Sequence, residues 1–412
     1  MDLSFLPSLP LALSYPLLFG ALLVAGMLGG EIARSARVPR IIGYVVVGFL
    51  LGPLAHAVGL ESLLGQARIF VDLALGLVLF DLGRRMDLRW MKRDWSIAAS
   101  GLAESLLTFA AVYATLEAFH FDPVKAALVA AIAMTSSPAV VLLVVHDTQS
   151  EGQVTERALN LVAMNCLIAS IFTTILLGSA HMEARIGVEV AILHPLYLFL
   201  GALAVGAAMA WLSRVIARKV EKSRDVHFTL IAGMVVCAVG LATQLKLPVI
   251  LTLLAFGLFA RNDDRGYDLL NVNLAPAGRL LYIVLFVVTG ASLPFAALGH
   301  AGWIALAVAG ARAAGKFVGV MAISPFGGLR LRQSLGLGAV LLPMSSLALL
   351  MQHDIAKLVP DFGAELTAIF LASVLVMEVV GPLTVQWGLR FAGETLPEEP
   401  AVTLVPSRAP GG

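Results

Sequence analysis

Apolar stretches close to twenty residues long recur from one end of this chain to the other. There are thirteen, near 11–33, 41–59, 67–83, 95–118, 123–146, 157–179, 192–217, 226–244, 247–260, 275–298, 300–323, 331–352 and 363–389. A helix needs about twenty such residues to cross the hydrocarbon core of a bilayer. Lipid offers no partner for an exposed peptide group, so segments of this length cross as helices. The chain is therefore read as an all-α polytopic membrane protein with about thirteen transmembrane helices. Composition agrees, with 59% of the 412 residues hydrophobic, 13% charged, and a mean hydropathy of +0.91. A soluble domain carries roughly 25% charged residues. A soluble enzyme, a disordered chain and a nucleic-acid binder are excluded. The net charge of +1 gives no bulk field for an acidic partner. Cys166 and Cys237 both lie in apolar stretches, which excludes a secreted disulfide scaffold.

Basic residues test the span count independently, because they collect in cytoplasmic loops. With the N-terminus outside, 21 Lys and Arg fall in the loops and tail assigned to the cytoplasm. Only Arg68, Lys125, Arg185, Lys246 and Lys357 fall in outside loops. One missed or invented span would scramble the alternation after it. Residues 1–392 are expected to form the transmembrane domain, and 393–412, rich in Pro and Gly, a disordered cytoplasmic tail.

Two spans share a pattern at an odd offset. Pro39 to Gly48 in the second lines up with Pro248 to Gly257 in the ninth. The next span in each half carries Leu79-Phe80 before Gly83, or Leu285-Phe286 before Gly290. The fifth and twelfth spans are interrupted by Thr135-Ser136-Ser137-Pro138 and Pro343-Met344-Ser345-Ser346. Members of each pair lie seven spans apart and cross the membrane in opposite directions. Such an inverted repeat with paired interrupted helices is the pattern of secondary transporters. Pro and Gly are also frequent in membrane helices generally, so the argument rests on three pairs sharing one offset.

Proline explains the interruptions. Pro138 and Pro343 have no N–H to donate and clash with the carbonyl a turn earlier, which frees the carbonyls of Met134 and Ala339. Irregular backbone at that depth is tolerated only inside protein or beside a wet cavity. Two breaks meeting near the midplane would offer oxygen ligands to a small cation. Two Pro-kinked packing helices with back-bonded hydroxyls are the plainer alternative.

Asp81, Glu104, Arg312, Lys316 and Glu378 lie within spans three, four, eleven and thirteen. Each costs about 2.5–3.5 kcal/mol at a helix centre unless paired or wetted. Arg312 and Lys316 are four apart on one helix face and call for carboxylate company. Asp81 is read as part of an ion and proton path, whereas Glu104 and Glu378 are read as structural ion pairs. Neither a metal-ligand cluster, nor a phosphate loop, nor a nucleophile with its base is evident, so no enzyme activity and no cofactor are expected.

These residues resemble a family. Arg37-Val-Pro-Arg-Ile-Ile-Gly-Tyr-Val-Val-Val-Gly-Phe-Leu-Leu-Gly-Pro53 is similar to the second-span signature of monovalent cation:proton antiporters, the Kef-type and related sodium/proton exchangers. Phe80-Asp-Leu-Gly-Arg-Arg-Met-Asp-Leu88 resembles their third-span ending, and Met134-Thr-Ser-Ser-Pro-Ala-Val-Val141 their unwound fifth span. Phe286 to Gly290, Arg312 to Lys316 and Glu378 to Pro382 resemble the later motifs, so the likeness covers about residues 11–390. It implies a dimerisation domain, a mobile core with two crossed broken helices, alternating access, a homodimer, and an inner or plasma membrane location. The implied partners are a monovalent cation, the proton and the lipid bilayer, with no nucleic acid.

One position departs from the family. Its sixth span carries an aspartate after Asn, Asp or Gln, but here the pair is Asn165-Cys166. A buried aspartate can hold a cation when charged or a proton when neutral, whereas a thiol in apolar surroundings stays neutral. The resemblance leaves Asp81 as the candidate carrier carboxylate. The expected ion and proton site comprises Asp81, Thr135, Ser136, Ser137, Asn165, Cys166, Arg312, Lys316 and Ser345. Exchange of Na⁺ or K⁺ for protons is the first reading. A non-exchanging sensor, regulator or conduit that lost the ion-carrying aspartate is the second. A small-organic-anion carrier using Arg312 and Lys316 is the third.

Overall fold

Two of the expected spans are split, and the splits fall where proline predicts them. The computed structural model describes residues 15–57, 61–183, 188–262, 275–291, 296–344, 346–358 and 364–395. In chain order the helices are α1 (Tyr15–Ser35), α2 (Arg40–Ala57), α3 (Glu61–Arg85), short α4 (Leu88–Arg93) and α5 (Trp95–Ala118). Then come α6 (Pro123–Ala133), α7 (Pro138–Asp147), α8 (Gln153–Glu183), α9 (Val188–Ala217), α10 (Arg224–Gln244) and α11 (Val249–Asn262). Last are α12 (Ala275–Ala291), α13 (Ala296–Ile323), α14 (Leu331–Val340), α15 (Ser346–Leu358) and α16 (Ala364–Ala392). Among the described residues each expected span holds one helix or the pair α6–α7 or α14–α15, except that within the tenth, expected to reach 298, α12 ends at Ala291 and α13 begins at Ala296. Between the expected spans the described residues add the short α4 and a 3-10 turn at Ser324–Gly327.

Local chemistry sets these ends. Asp122 caps α6 through the Lys125 amide, and Pro123 opens it. The Ser137 hydroxyl accepts the Val140 amide and Pro138 takes the first helical position of α7. Proline there loses nothing, since that N–H has no helical partner anyway. The same residue that ends one half-helix thus starts the next.

Seven described helices are long and apolar enough to cross a membrane, and three shorter apolar ones accompany them. Burial divides them by role. The apolar stretch through α6 and α7 is 89% buried inside the protein, against 33% for α9 and for α10. Broken helices are thus enclosed by others, and unbroken ones present Ile192, Leu193 and Trp211 outward. That is the order lipid demands, because only a continuous helix satisfies its own backbone.

Close packing uses the glycines that the sequence pattern singled out. A Cβ on Gly48 would strike the Val287 carbonyl of α12, and one on Gly290 the Val45 carbonyl of α2. On the other side Gly257 of α11 abuts the Phe80 carbonyl of α3, and Gly83 abuts that of Leu254. Small residues let membrane helices approach at backbone distance.

At the other end, Arg157 of α8 donates to Asp94 at 2.8 Å, to Ser96 Oγ at 3.0 Å and to the Gly327 carbonyl at 2.9 Å. The chain is also tied down beyond 392, where the tail was expected to begin. The Glu394 carboxylate accepts the amides of Val154 and Thr155 at 2.7 and 2.8 Å, an anion at the N-terminus of α8. The tail from 396 on lies outside the described residues.

Candidate functional site

The breaks between α6 and α7 and between α14 and α15 meet backbone to backbone. The Ser137 amide donates to the Pro343 carbonyl at 2.9 Å, and the Ser136 hydroxyl to the Leu341 carbonyl at 2.6 Å. The chain therefore crosses itself where both helices are unwound. Two half-helices, α6 and α14, end there, so their negative dipole ends and spare carbonyls point into one buried place.

Arg312 and Lys316 of α13 answer that charge. The Arg312 guanidinium donates to the carbonyls of Ala133 (2.9 Å), Thr135 (2.6 Å), Leu342 (2.5 Å) and Pro343 (3.3 Å), spanning both breaks. Lys316 Nζ donates to the Met134 carbonyl at 2.9 Å, one of the two that proline was expected to free. The other, Ala339, is taken by the Leu342 amide at 3.3 Å in a tightened turn. Arg312 was expected to need a carboxylate, but carbonyls serve it instead: its planar fork has several donors to distribute.

Lys316 does find a carboxylate, and it is Glu104 of α5, at 2.9 Å with both side chains 0% exposed. The other Glu104 oxygen accepts from Asn165 Nδ2 at 2.9 Å. Asn165 also donates to Ser136 Oγ at 3.0 Å, and its Oδ1 accepts the Ser136 amide at 3.3 Å. The reverse amide orientation would set two donors face to face. Each Glu104 oxygen thus accepts one donor. Cys166 is fully buried, and its Sγ donates to the Ser136 carbonyl at 3.4 Å.

Two register features bring Glu104 here. Its partner Asn165 is 61 residues on, as Arg157 is from Ser96, so α5 and α8 run parallel in step. On α13, Gly315 and Gly319 bracket Lys316, and a Cβ on either would strike the backbone of Thr108 or Glu104. The small-x-x-x-small spacing in the sequence was the signal for a helix contact at Lys316. Gly319→Val is expected to cost about 1–3 kcal/mol through overpacking. A lower unfolding temperature in detergent checks it, with Gly310→Val, which has open space within 4 Å, as the control.

Of the residues expected to form the site, Thr135, Ser136, Ser137, Asn165, Cys166, Arg312 and Lys316 come together. Not all of their side chains face the crossing, since Thr135 Oγ1 back-bonds to Ile132 and Ser137 Oγ caps α7. Asp81 is not with them. Its carboxylate pairs with Arg85 one turn on, at 3.3 Å, and is 24% exposed. Ser345 lies outside the described residues. Glu104, read as a structural pair, is the acid that the crossing holds. Glu378, also read as paired, has no hydrogen-bond partner on either oxygen among the described residues. No group of three or more His, Cys, Asp or Glu among the described residues could hold a metal ion. Any cation here would be met by carbonyl and hydroxyl oxygens and by Glu104.

Known proteins share this architecture. The family described as "Sodium/hydrogen exchanger, transmembrane" matches residues 19–390. A K⁺/H⁺ antiporter subunit, KhtU of Bacillus subtilis (strain 168), is 22% identical over 382 residues, covering 90% of this chain and 93% of KhtU. The sodium proton antiporter MjNhaP1 of Methanocaldococcus jannaschii at pH 8 superposes with a TM-score of 0.70 at 16% identity, covering 92% of this chain and 98% of its own. A second MjNhaP1 structure, from electron microscopy, gives 0.65 at 16% identity, covering 91% and 95%. The match to nearly the whole chain and the shared fold lead to one conclusion: the protein is a multi-pass membrane member of the sodium/hydrogen exchanger transmembrane family.

Proposed function

We propose that this protein exchanges a monovalent cation, Na⁺ or K⁺, for protons by alternating access at the helix crossing. The observation that carries this reading is the Glu104–Lys316 ion pair at 2.9 Å, buried where two unwound helices meet. Lys316 occupies the place of a monovalent cation, with a carboxylate on one side and a helix-end carbonyl on the other. An entering cation takes over those oxygens, the ammonium withdraws, and a proton leaves the core in exchange. Asn165 keeps the carboxylate aimed at the crossing throughout. Asp81, paired with Arg85 at the end of α3, does not carry the ion.

The chain sits in the inner or plasma membrane with its N-terminus outside and its C-terminus in the cytoplasm. It works as a homodimer, with α5–α8 and α13–α16 in the moving core. The positive-inside distribution of Lys and Arg supports the orientation. The family likeness supports the dimer.

The competing reading, a relative that keeps the fold without exchange, draws on Cys166, which places a neutral thiol where a charged group is expected. The two separate cleanly in vesicles loaded with a pH-sensitive dye. Exchange predicts that adding NaCl or KCl collapses an imposed pH gradient, while choline chloride does not. A flat trace with every alkali cation, from protein shown to be folded and inserted, overturns the exchange reading.

A further inference from the structure

The buried charges at the crossing do not balance. Arg312 and Lys316 are cationic, Glu104 is the one carboxylate among the described residues bonded to them, and Cys166 contributes a thiol hydrogen to a carbonyl. A third cation arriving beside the two resident ones needs a new negative charge nearby. One buried acid is uncommitted: Glu378 of α16, 1% exposed, with neither carboxyl oxygen bonded among the described residues.

Its position is tied to the crossing. Gly381, one turn along α16, rests on the second break so closely that a Cβ there would lie 2.8 Å from Pro343 Cα. Pro382 stands inside α16 four residues after Glu378 and has no N–H to give the Glu378 carbonyl. An acid side chain and an under-served carbonyl thus share one buried level. A carboxylate with no counter-charge or donor is costly there, so the resting group holds its proton.

Among the described residues no cation is bonded to it. Helices α2, α7, α8, α13, α14 and α15 pack against α16. Arg312 is spent on carbonyls and Lys316 on Glu104. Arg157 of α8 is held by Asp94, and Arg332 of α14 donates to the Phe391 carbonyl. On α7, Asp147 faces Arg40 of α2 at 3.7 Å, at the helix end beside His146. Glu156 stands in the first turn of α8, three turns before Cys166.

We propose that Glu378 is the proton-binding site of the exchange, giving up its proton when a monovalent cation occupies the crossing. The O–H bond of the carboxyl breaks, the proton passes to water, and the carboxylate left behind balances the incoming cation. When the cation leaves, the carboxylate takes a proton back. This deepens the exchange reading above and rests on it, by naming the group that supplies the proton.

Infrared difference spectra of the purified full chain, taken on changing choline chloride for NaCl or KCl, read the step directly. The wild type is expected to lose a protonated-carboxyl carbonyl band, and Glu378→Gln to show no such loss. Gln keeps the size and the uncharged state, so the fold should survive, and Glu378→Met serves as a second neutral variant. In vesicles, Glu378→Gln, which cannot supply the balancing charge, should lose cation-driven proton movement together with most of the uptake of isotope-labelled cation. A carboxyl band that no cation disturbs overturns the proposal even if the wild type exchanges. So does a Glu378→Gln protein that moves protons at the wild-type ratio, which would give the proton to Lys316. A wild type that carries neither label nor protons fails the exchange reading instead, and the infrared result still decides Glu378, because it requires binding and not turnover.

Discussion

Glu104→Gln is expected to abolish cation-driven proton movement, and to do so by more than stability alone. Glutamine can still accept from Asn165, but its NH₂ faces the Lys316 ammonium, which sets donor against donor. Lys316 is left a buried cation without counter-charge, at a cost of about 3–5 kcal/mol for breaking such a pair. At about 1.4 kcal/mol per factor of ten, that is a loss of at least roughly a hundredfold. Dye-loaded vesicles measure the flux, and thermal unfolding in detergent measures the fold. A double change, Glu104→Gln with Lys316→Met, removes both charges and should recover much of the unfolding temperature without recovering transport. That separates a folding role from an ion-binding one. Wild-type flux in Glu104→Gln, together with a silent Asp81→Asn, would return the carrier carboxylate to Asp81.

The second large effect is expected at Arg312. Its guanidinium holds four carbonyls drawn from both breaks: Ala133, Thr135, Leu342 and Pro343. Arg312→Met leaves the Ala133, Thr135 and Leu342 carbonyls without that donor in a buried place, while the Pro343 carbonyl keeps the Ser137 amide. Each buried carbonyl stripped of its partner costs about 1–3 kcal/mol. The sum is comparable with the whole folding stability of a typical domain, about 5–15 kcal/mol. Arg312→Met should therefore fail to elute as a single species after extraction. Arg312→Lys should fold with a lowered unfolding temperature, because one ammonium cannot span the two breaks as the planar fork does. An Arg312→Met protein that elutes and melts like the wild type would show that the crossing is held by other bonds.

Proline and helix length were readable in the chain because their physics is local. Pro138 cannot donate a hydrogen bond in any tertiary setting, so the break before it and the freed Met134 carbonyl followed from the residue itself. The acids were a different problem. Asp81, Glu104 and Glu378 look alike along the sequence, each a carboxyl in an apolar run. They differ in what stands opposite. Asp81 has Arg85 one turn away, Glu104 has Lys316 across a helix interface 212 residues distant, and Glu378 has no bonded partner among the described residues. The glycines around Lys316 hinted at the contact but did not name the neighbour.

The membrane class, the approximate places of the spans, the two interruptions and the unusual Asn165-Cys166 pair were legible in the residues alone. Each is set by hydrophobic length or by covalent geometry within a few residues. Packing settled which acid meets the lysine, that the arginine serves carbonyls and not a carboxylate, and that one glutamate is buried with no bonded partner among the described residues. Those outcomes depend on how helices far apart in the chain rotate against each other. A charge in lipid must find company, but the chain order does not say where that company stands.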